Sequence, residues 1–255
     1  MSRLIGPKRS AIQSTGRADL GALVARIVPP AKGASDIIVP DRAVLAVVRA
    51  VGAGGGARSQ NISTNFPGGG GAFAKSILVV TPGETLVATV ISAAVYNFDW
   101  INGGNGPDTS LARGATILLS AKGGYGAPAS LGPGGAGGDA AACIGEITRS
   151  GGNGGSPYLI GYNGGYGTAI EVTSNPSARY DGAIQGGFPA SDIGDLDATN
   201  IGGAGGGLFS GGVPFPSGAG GGANFYPTSA GPVLAFNPPG PGAMIIEFYD
   251  GQVPQ

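Results

Sequence analysis

Apolar residues in this chain come in short bursts separated by glycine, and the bursts have the length and composition of β-strands. Ile37, Ile38 and Val39 run into a Pro40-Asp41 turn, and residues 43–51 are almost all small or β-branched apolar, with Arg49 as the one charge. That pattern predicts a strand with one buried face. Residues 74–80 and 85–92 read as two further strands. The turn between them, Thr81-Pro-Gly-Glu84, places proline and glycine side by side, so the pair is predicted to form a hairpin. Residues 114–120 and 144–148 offer a fourth and a fifth strand, and residues 243–249, Ala-Met-Ile-Ile-Glu-Phe-Tyr, a strong last one. Near the start, residues 20–28 end at Pro29-Pro30 and are expected to form one short helix.

Between the strand-like bursts lie punctuated glycine runs at 52–56, 68–71, 103–106, 123–126, 132–138, 151–155, 163–167, 202–207 and 218–222. Glycine loses more backbone entropy on ordering than any other residue, so an ordered chain rich in it must use something only glycine permits. Close backbone approach is the obvious candidate. Extended left-handed segments with three residues per turn have no internal hydrogen bonds and direct their N–H and C=O groups to neighbours. The expected architecture is therefore mostly β. Polyglycine-II-like segments form a glycine-helix bundle with its loops, held by a small β scaffold from the first and last strands.

Composition changes this picture little but excludes much. Glycine and proline supply 53 and 20 of 255 residues, a level often seen in disordered chains, yet apolar residues make up 42% and charged residues only 11%. The chain must bury something. No strict Gly-X-Y register supports collagen, and no apolar run is long enough for a membrane-spanning helix, so no membrane insertion is expected. The first residues lack the apolar stretch of a secretory signal, so export by that route is not expected. Cys143, the single cysteine, allows no intrachain disulfide and is expected to be a small buried hydrophobe.

Charge is uneven although the formal net value is −1. Residues 1–33 hold Arg3, Lys8, Arg9, Arg17, Arg26 and Lys32 against Asp19 alone. This division suggests a basic N-terminal docking segment over 1–33, a glycine-rich β domain over 34–250 and a tail over 251–255. Arg3, Lys8, Arg9 and Arg17 are the candidate docking residues, although a solvated tail would carry the same composition. Beyond residue 33 the basic residues are too scattered for a nucleic-acid surface.

Few catalytic arrangements are available. Histidine is absent, which removes Ser-His-Asp and Cys-His catalysis and the commonest transition-metal ligand, so neither an enzyme nor a cofactor is expected. The phrase Gly52-Ala-Gly54-Gly-Gly-Ala57 after a strand has the outline of a dinucleotide fingerprint, but no helix-forming stretch follows to present an N-terminus to a pyrophosphate. Asp192, Asp195 and Asp197 lack the spacing of a helix–loop–helix calcium site and read as a solvated loop. Aromatics are the more informative population. Tyr96, Phe98 and Trp100 precede one glycine run, and Tyr125, Tyr158, Tyr162, Tyr166, Tyr180 and Phe188 lie in or beside others. Aromatic side chains on glycine-flanked loops supply contact area at little rotamer cost, as in saccharide and protein-surface recognition, although the same rings can fill gaps in a scaffold.

Several phrases in order carry a family resemblance: Ile38-Val-Pro40, then Val44-Leu-Ala-Val-Val-Arg-Ala-Val-Gly-Ala-Gly-Gly-Gly56, then Gly68-Gly-Gly-Gly-Ala-Phe-Ala-Lys75. They are followed by Val80-Thr-Pro-Gly-Glu-Thr-Leu-Val-Ala-Thr-Val90 and Gly242-Ala-Met-Ile-Ile-Glu-Phe-Tyr249. Over roughly residues 35–250 the chain resembles the glycine-rich domain of bacteriophage tail proteins. Two stretches depart from that pattern, residues 91–101 before the third glycine run and residues 172–200, and residues 1–33 match nothing in it. The resemblance implies a virion protein of a tail fibre or tail tip, made in the host cytoplasm and oligomeric in the particle. Residues 1–33 would contact fibre, baseplate or capsid proteins, and the nine aromatics would contact a bacterial cell-surface glycan or protein. A non-receptor virion component, such as a capsid decoration, head fibre or tail-tip subunit, is the alternative, and a bacterial surface protein or weak glycan-degrading enzyme a further one.

Overall fold

The structure, a computed structural model, describes residues 20–61, 64–66, 68–91, 103–128, 134–154, 222–228, 231–237 and 240–251. Thirteen strands follow one another among these residues: β1 Leu23–Ile27, β2 Gly33–Ile38, β3 Leu45–Val51, β4 Arg58–Asn61, β5 Thr64–Phe66, β6 Phe73–Val79, β7 Thr85–Val90, β8 Thr109–Arg113, β9 Thr116–Ala121, β10 Ile147–Arg149, β11 Gly222–Thr228, β12 Gly231–Asn237 and β13 Ala243–Tyr249. A five-stranded antiparallel sheet has the order β1-β13-β3-β6-β10, and a four-stranded one the order β2-β7-β8-β9. The pairs β4-β5 and β11-β12 form two further two-stranded ribbons.

The two large sheets enclose the core. From the five-stranded sheet come Ala46, Val48, Ala50, Met244, Ile246 and Phe248, and from the four-stranded sheet Ile37, Leu86, Ala88, Val90, Leu111, Leu119 and Ala121. Burying each of the larger side chains is worth about 1.5–3 kcal/mol. The period-2 pattern of β7 explains its placement: Leu86, Ala88 and Val90 face inward, while Thr85, Val87 and Thr89 face out. On β3 the expected single buried face is doubled, since all seven residues are buried.

Three expectations are corrected. No glycine-helix bundle is present: among the described residues the fold is all-β, and the only helical turn is a 3₁₀ turn at Ala140–Ala142. The glycine segments are connections outside the strands, and the β part is two full sheets, not a small scaffold. Residues 23–27 are a strand at the edge of the five-stranded sheet, paired with β13, and not a helix, so residues 23–27 and 33 of the expected docking segment belong to the sheets. Finally, β6 and β7 do not form a hairpin. The turn at Thr81–Glu84 carries the chain from one sheet to the other, held by Val80 N–H to Val44 C=O at 3.0 Å and Val39 N–H to Glu84 C=O at 2.9 Å.

The two ends of the sheets differ. At one end the connections are tight turns: the 39–44 turn with Arg42 at φ 70°, the 81–84 turn with Gly83 at φ 78°, and the β8-β9 hairpin with Gly114 at φ 55°. Here too β1 begins, with Leu23 opposite Tyr249, and Ala22 N–H donates to the Asp250 carboxylate at 2.7 Å. At the other end Val51, Phe73, Arg149 and Ala243 finish one row of the five-stranded sheet. Gly33, Val90, Thr109 and Ala121 finish the four-stranded sheet on the same side.

Candidate functional site

Glycine segments continue the strands at this second end. Segment 52–57 leaves β3, the β4-β5 ribbon follows, and segment 68–72 returns to β6. Segment 103–108 enters β8, 122–128 leaves β9, 134–138 runs alongside them, 151–154 follows β10, and 240–242 enters β13. The connections 58–67, 129–133 and 155–239 are therefore flanked by these segments on both sides, and 92–102 follows β7 directly and leads into segment 103–108.

Backbone hydrogen bonds tie the segments to one another with a spacing of three. Gly52 and Gly55 donate to Ala72 and Gly69 of one neighbour, Ala53 and Gly56 to Pro107 and Gly104 of a second, and Gly54 to Gly240 of a third. Segment 68–72 is the centre: Gly69 and Ala72 donate to Tyr125 and Lys122, Gly70 donates to Gly152, and Gly138 donates to Gly70, at 2.7–2.9 Å. Buried backbone groups that lack a sheet partner are satisfied in this way.

Such bonds leave no room for side chains. A Cβ at Gly69 would collide with the Ala136 carbonyl, one at Gly71 with that of Gly52, and one at Gly151 with that of Gly70. None of these three glycines has a positive φ, so the requirement is close approach and not unusual backbone conformation.

Of the aromatic candidates, Tyr125 lies among the described residues. It is 50% exposed, on the segment between Gly124 and Gly126, with its backbone N–H bonded to Ala136 and its C=O to Gly69. Tyr96, Phe98, Trp100, Tyr158, Tyr162, Tyr166, Tyr180 and Phe188 lie outside the described residues, as do Arg3, Lys8, Arg9 and Arg17 and the acidic cluster Asp192, Asp195 and Asp197. The segment after Gly52–Ala57 leads into strand β4, so no helix N-terminus stands there for a phosphate.

Sequence reasoning passed over three polar neighbours of Tyr125. Asp108 Oδ1 accepts from Gly123 N–H at 2.9 Å, and Asn105 Oδ1 accepts from Gly126 N–H at 2.9 Å. Lys122 Nζ meets Asp108 Oδ2 at 2.6 Å. The hydrogen bond to Asp108, and then its charge, raise the Lys122 pKa, so the ammonium is held charged. The available signal was the three-residue spacing of Asn105 and Asp108 on one segment and of Lys122 and Tyr125 on the next. Cys143 is half-buried, with its Sγ between Lys122 N–H at 3.4 Å and the Asp139 carbonyl at 3.3 Å. Burial raises its thiol pKa, which favours the protonated form. Among the described residues, no three His, Cys, Asp or Glu side chains gather as a metal site, and no helix is long and apolar enough to cross a membrane.

The arrangement can hold loop ends in fixed relative positions. A family model described as a glycine-rich domain matches residues 30–249, from just after β1 to the last residue of β13. The chain belongs to the glycine-rich domain family. The match spans the four-stranded sheet, the five-stranded sheet except its edge strand β1, and all the glycine segments of this glycine-rich domain. No curated protein matches it.

Proposed function

We propose that this glycine-rich domain is a bacteriophage virion protein, an adhesin of the tail fibre or tail tip that binds the host cell surface without catalysing a reaction. One observation carries the reading. The long connections bearing Trp100 and the other loop aromatics leave and re-enter one end of the sheets, through β7 or through glycine segments bonded backbone to backbone, while Leu23 and Asp250 lie together at the opposite end. One end is thus free to join the particle while the other presents loops. The resemblance of its sequence phrases to the glycine-rich domain of tail proteins supports the same reading, and a bacterial surface glycan or protein is the expected partner.

Adsorption tests it. Phage carrying Trp100→Ala, or lacking residues 181–197, should adsorb more slowly to host cells while the purified variants keep the wild-type thermal transition. Normal adsorption by both folded variants, with antibody label over the head instead of the tail extremity, would replace the adhesin by a structural subunit of the particle.

A further inference from the structure

Among the described residues the glycine network contains two Asn-Gly pairs whose asparagines are exposed, Asn105-Gly106 and Asn153-Gly154. Asn-Gly is chemically labile because glycine offers no side chain to hinder its own amide nitrogen from reaching the asparagine carbonyl carbon, and asparagine is among the residues lost first under heat. Both reacting groups are tied down here, in the same way at both pairs. The Asn105 side-chain oxygen accepts from Gly126 N–H at 2.9 Å, and Gly106 N–H donates to Gly124 C=O at 2.7 Å. The Asn153 side-chain oxygen accepts from Gly137 N–H at 3.0 Å, and Gly154 N–H donates to Gly135 C=O at 2.7 Å.

We infer that Asn105 and Asn153 are latent deamidation sites, shut by the hydrogen bonds that join neighbouring glycine segments and opened only when those segments separate. In the reaction the glycine amide nitrogen gives up its proton and attacks Cγ. The new C–N bond closes a five-membered succinimide, and the side-chain nitrogen leaves as ammonia with that proton. Water then opens the ring at either carbonyl, giving aspartate or isoaspartate, so one water is consumed and one ammonia released with no change in oxidation state. In the folded chain the attacking N–H is engaged by a carbonyl of the next segment, and the amide is held by a second hydrogen bond. Solvent exposure therefore does not bring reactivity. Isoaspartate would add a methylene to the main chain and break the three-residue spacing, so each event would permanently damage the segment that opened.

The test needs no variant. The full-length protein is held at mildly alkaline pH and 37 °C, folded in buffer or unfolded in urea, and conversion at each pair is followed by peptide mapping with mass spectrometry. Conversion at both pairs is expected to be at least about tenfold slower in the folded protein, in line with the free energy of local opening. Folded and unfolded rates within about threefold of each other at either pair would overturn the inference for that pair.

Discussion

Arg49 on β3 donates through Nη1 to Glu247 Oε2 on β13 at 2.8 Å, joining two strands nearly two hundred positions apart in the chain. Both side chains are largely buried, at 7% and 14% exposure, and the same carboxylate accepts from the Tyr249 hydroxyl at 3.1 Å and faces Arg26 at 3.7 Å. Removing one member of such a pair leaves the other poorly solvated. Glu247→Gln is expected to destabilise the protein by about 2–3 kcal/mol, read from urea unfolding at neutral pH. A double-mutant cycle with Arg49→Met should recover part of that loss.

Acidification should expose the same pair. Burial pushes the Glu247 carboxyl up, but the hydrogen bond and charge of Arg49, with smaller help from Tyr249 and Arg26, outweigh it and leave the pKa below the ordinary value. Its contribution is therefore complete above the ordinary carboxylate pKa and is lost as the pH falls through the depressed one. The wild type should lose stability more steeply than Glu247→Gln across that acidic range. Parallel slopes of unfolding free energy against pH would show that Glu247 does not carry the dependence.

Close approach at the glycine segments gives a contrast between two substitutions. At Gly71 a new Cβ meets the backbone of Gly52, which cannot yield without breaking the network, so Gly71→Ala should cost about 3 kcal/mol or more. At Gly114 the site is open and the φ of +55° is one that asparagine adopts, so Gly114→Asn should stay within about 1 kcal/mol of wild type. Thermal unfolding of the two variants side by side measures the difference.

Cys143 should resist thiol reagents in the folded protein. Its raised pKa and half-buried position predict labelling at pH 8 at least about tenfold slower than in the urea-unfolded chain, followed by absorbance of the released chromophore. Equal rates would mean that the thiol is open to solvent.

Local pattern alone makes several elements readable. Residues 243–249 coincide with β13, residues 74–80 differ from β6 by one position at each end, and the strand over residues 85–92 starts where β7 does. Such strands are legible because alternation and β-branched content act within a few neighbouring residues. The candidate site was far less legible. Tyr125 stood out as an aromatic within glycine, but Asn105 and Asp108 come to its segment, and to Lys122 on it, from a separate one, and ordinary polar residues carry no mark of that.

Sequence alone thus determined that residues 43–51, 74–80, 85–92 and 243–249 are strand-like, where glycine is concentrated, and that no histidine is present. Tertiary structure decided which sheet each strand joins. It sent β6 and β7 to different sheets, because each had an open edge to fill and an apolar face to bury against the other. It made residues 23–27 a strand, because pairing with β13 satisfies their backbone and outweighs a weak local preference for helix. It also decided which glycine meets which carbonyl, since those contacts join segments far apart in sequence and no local pattern encodes their partner.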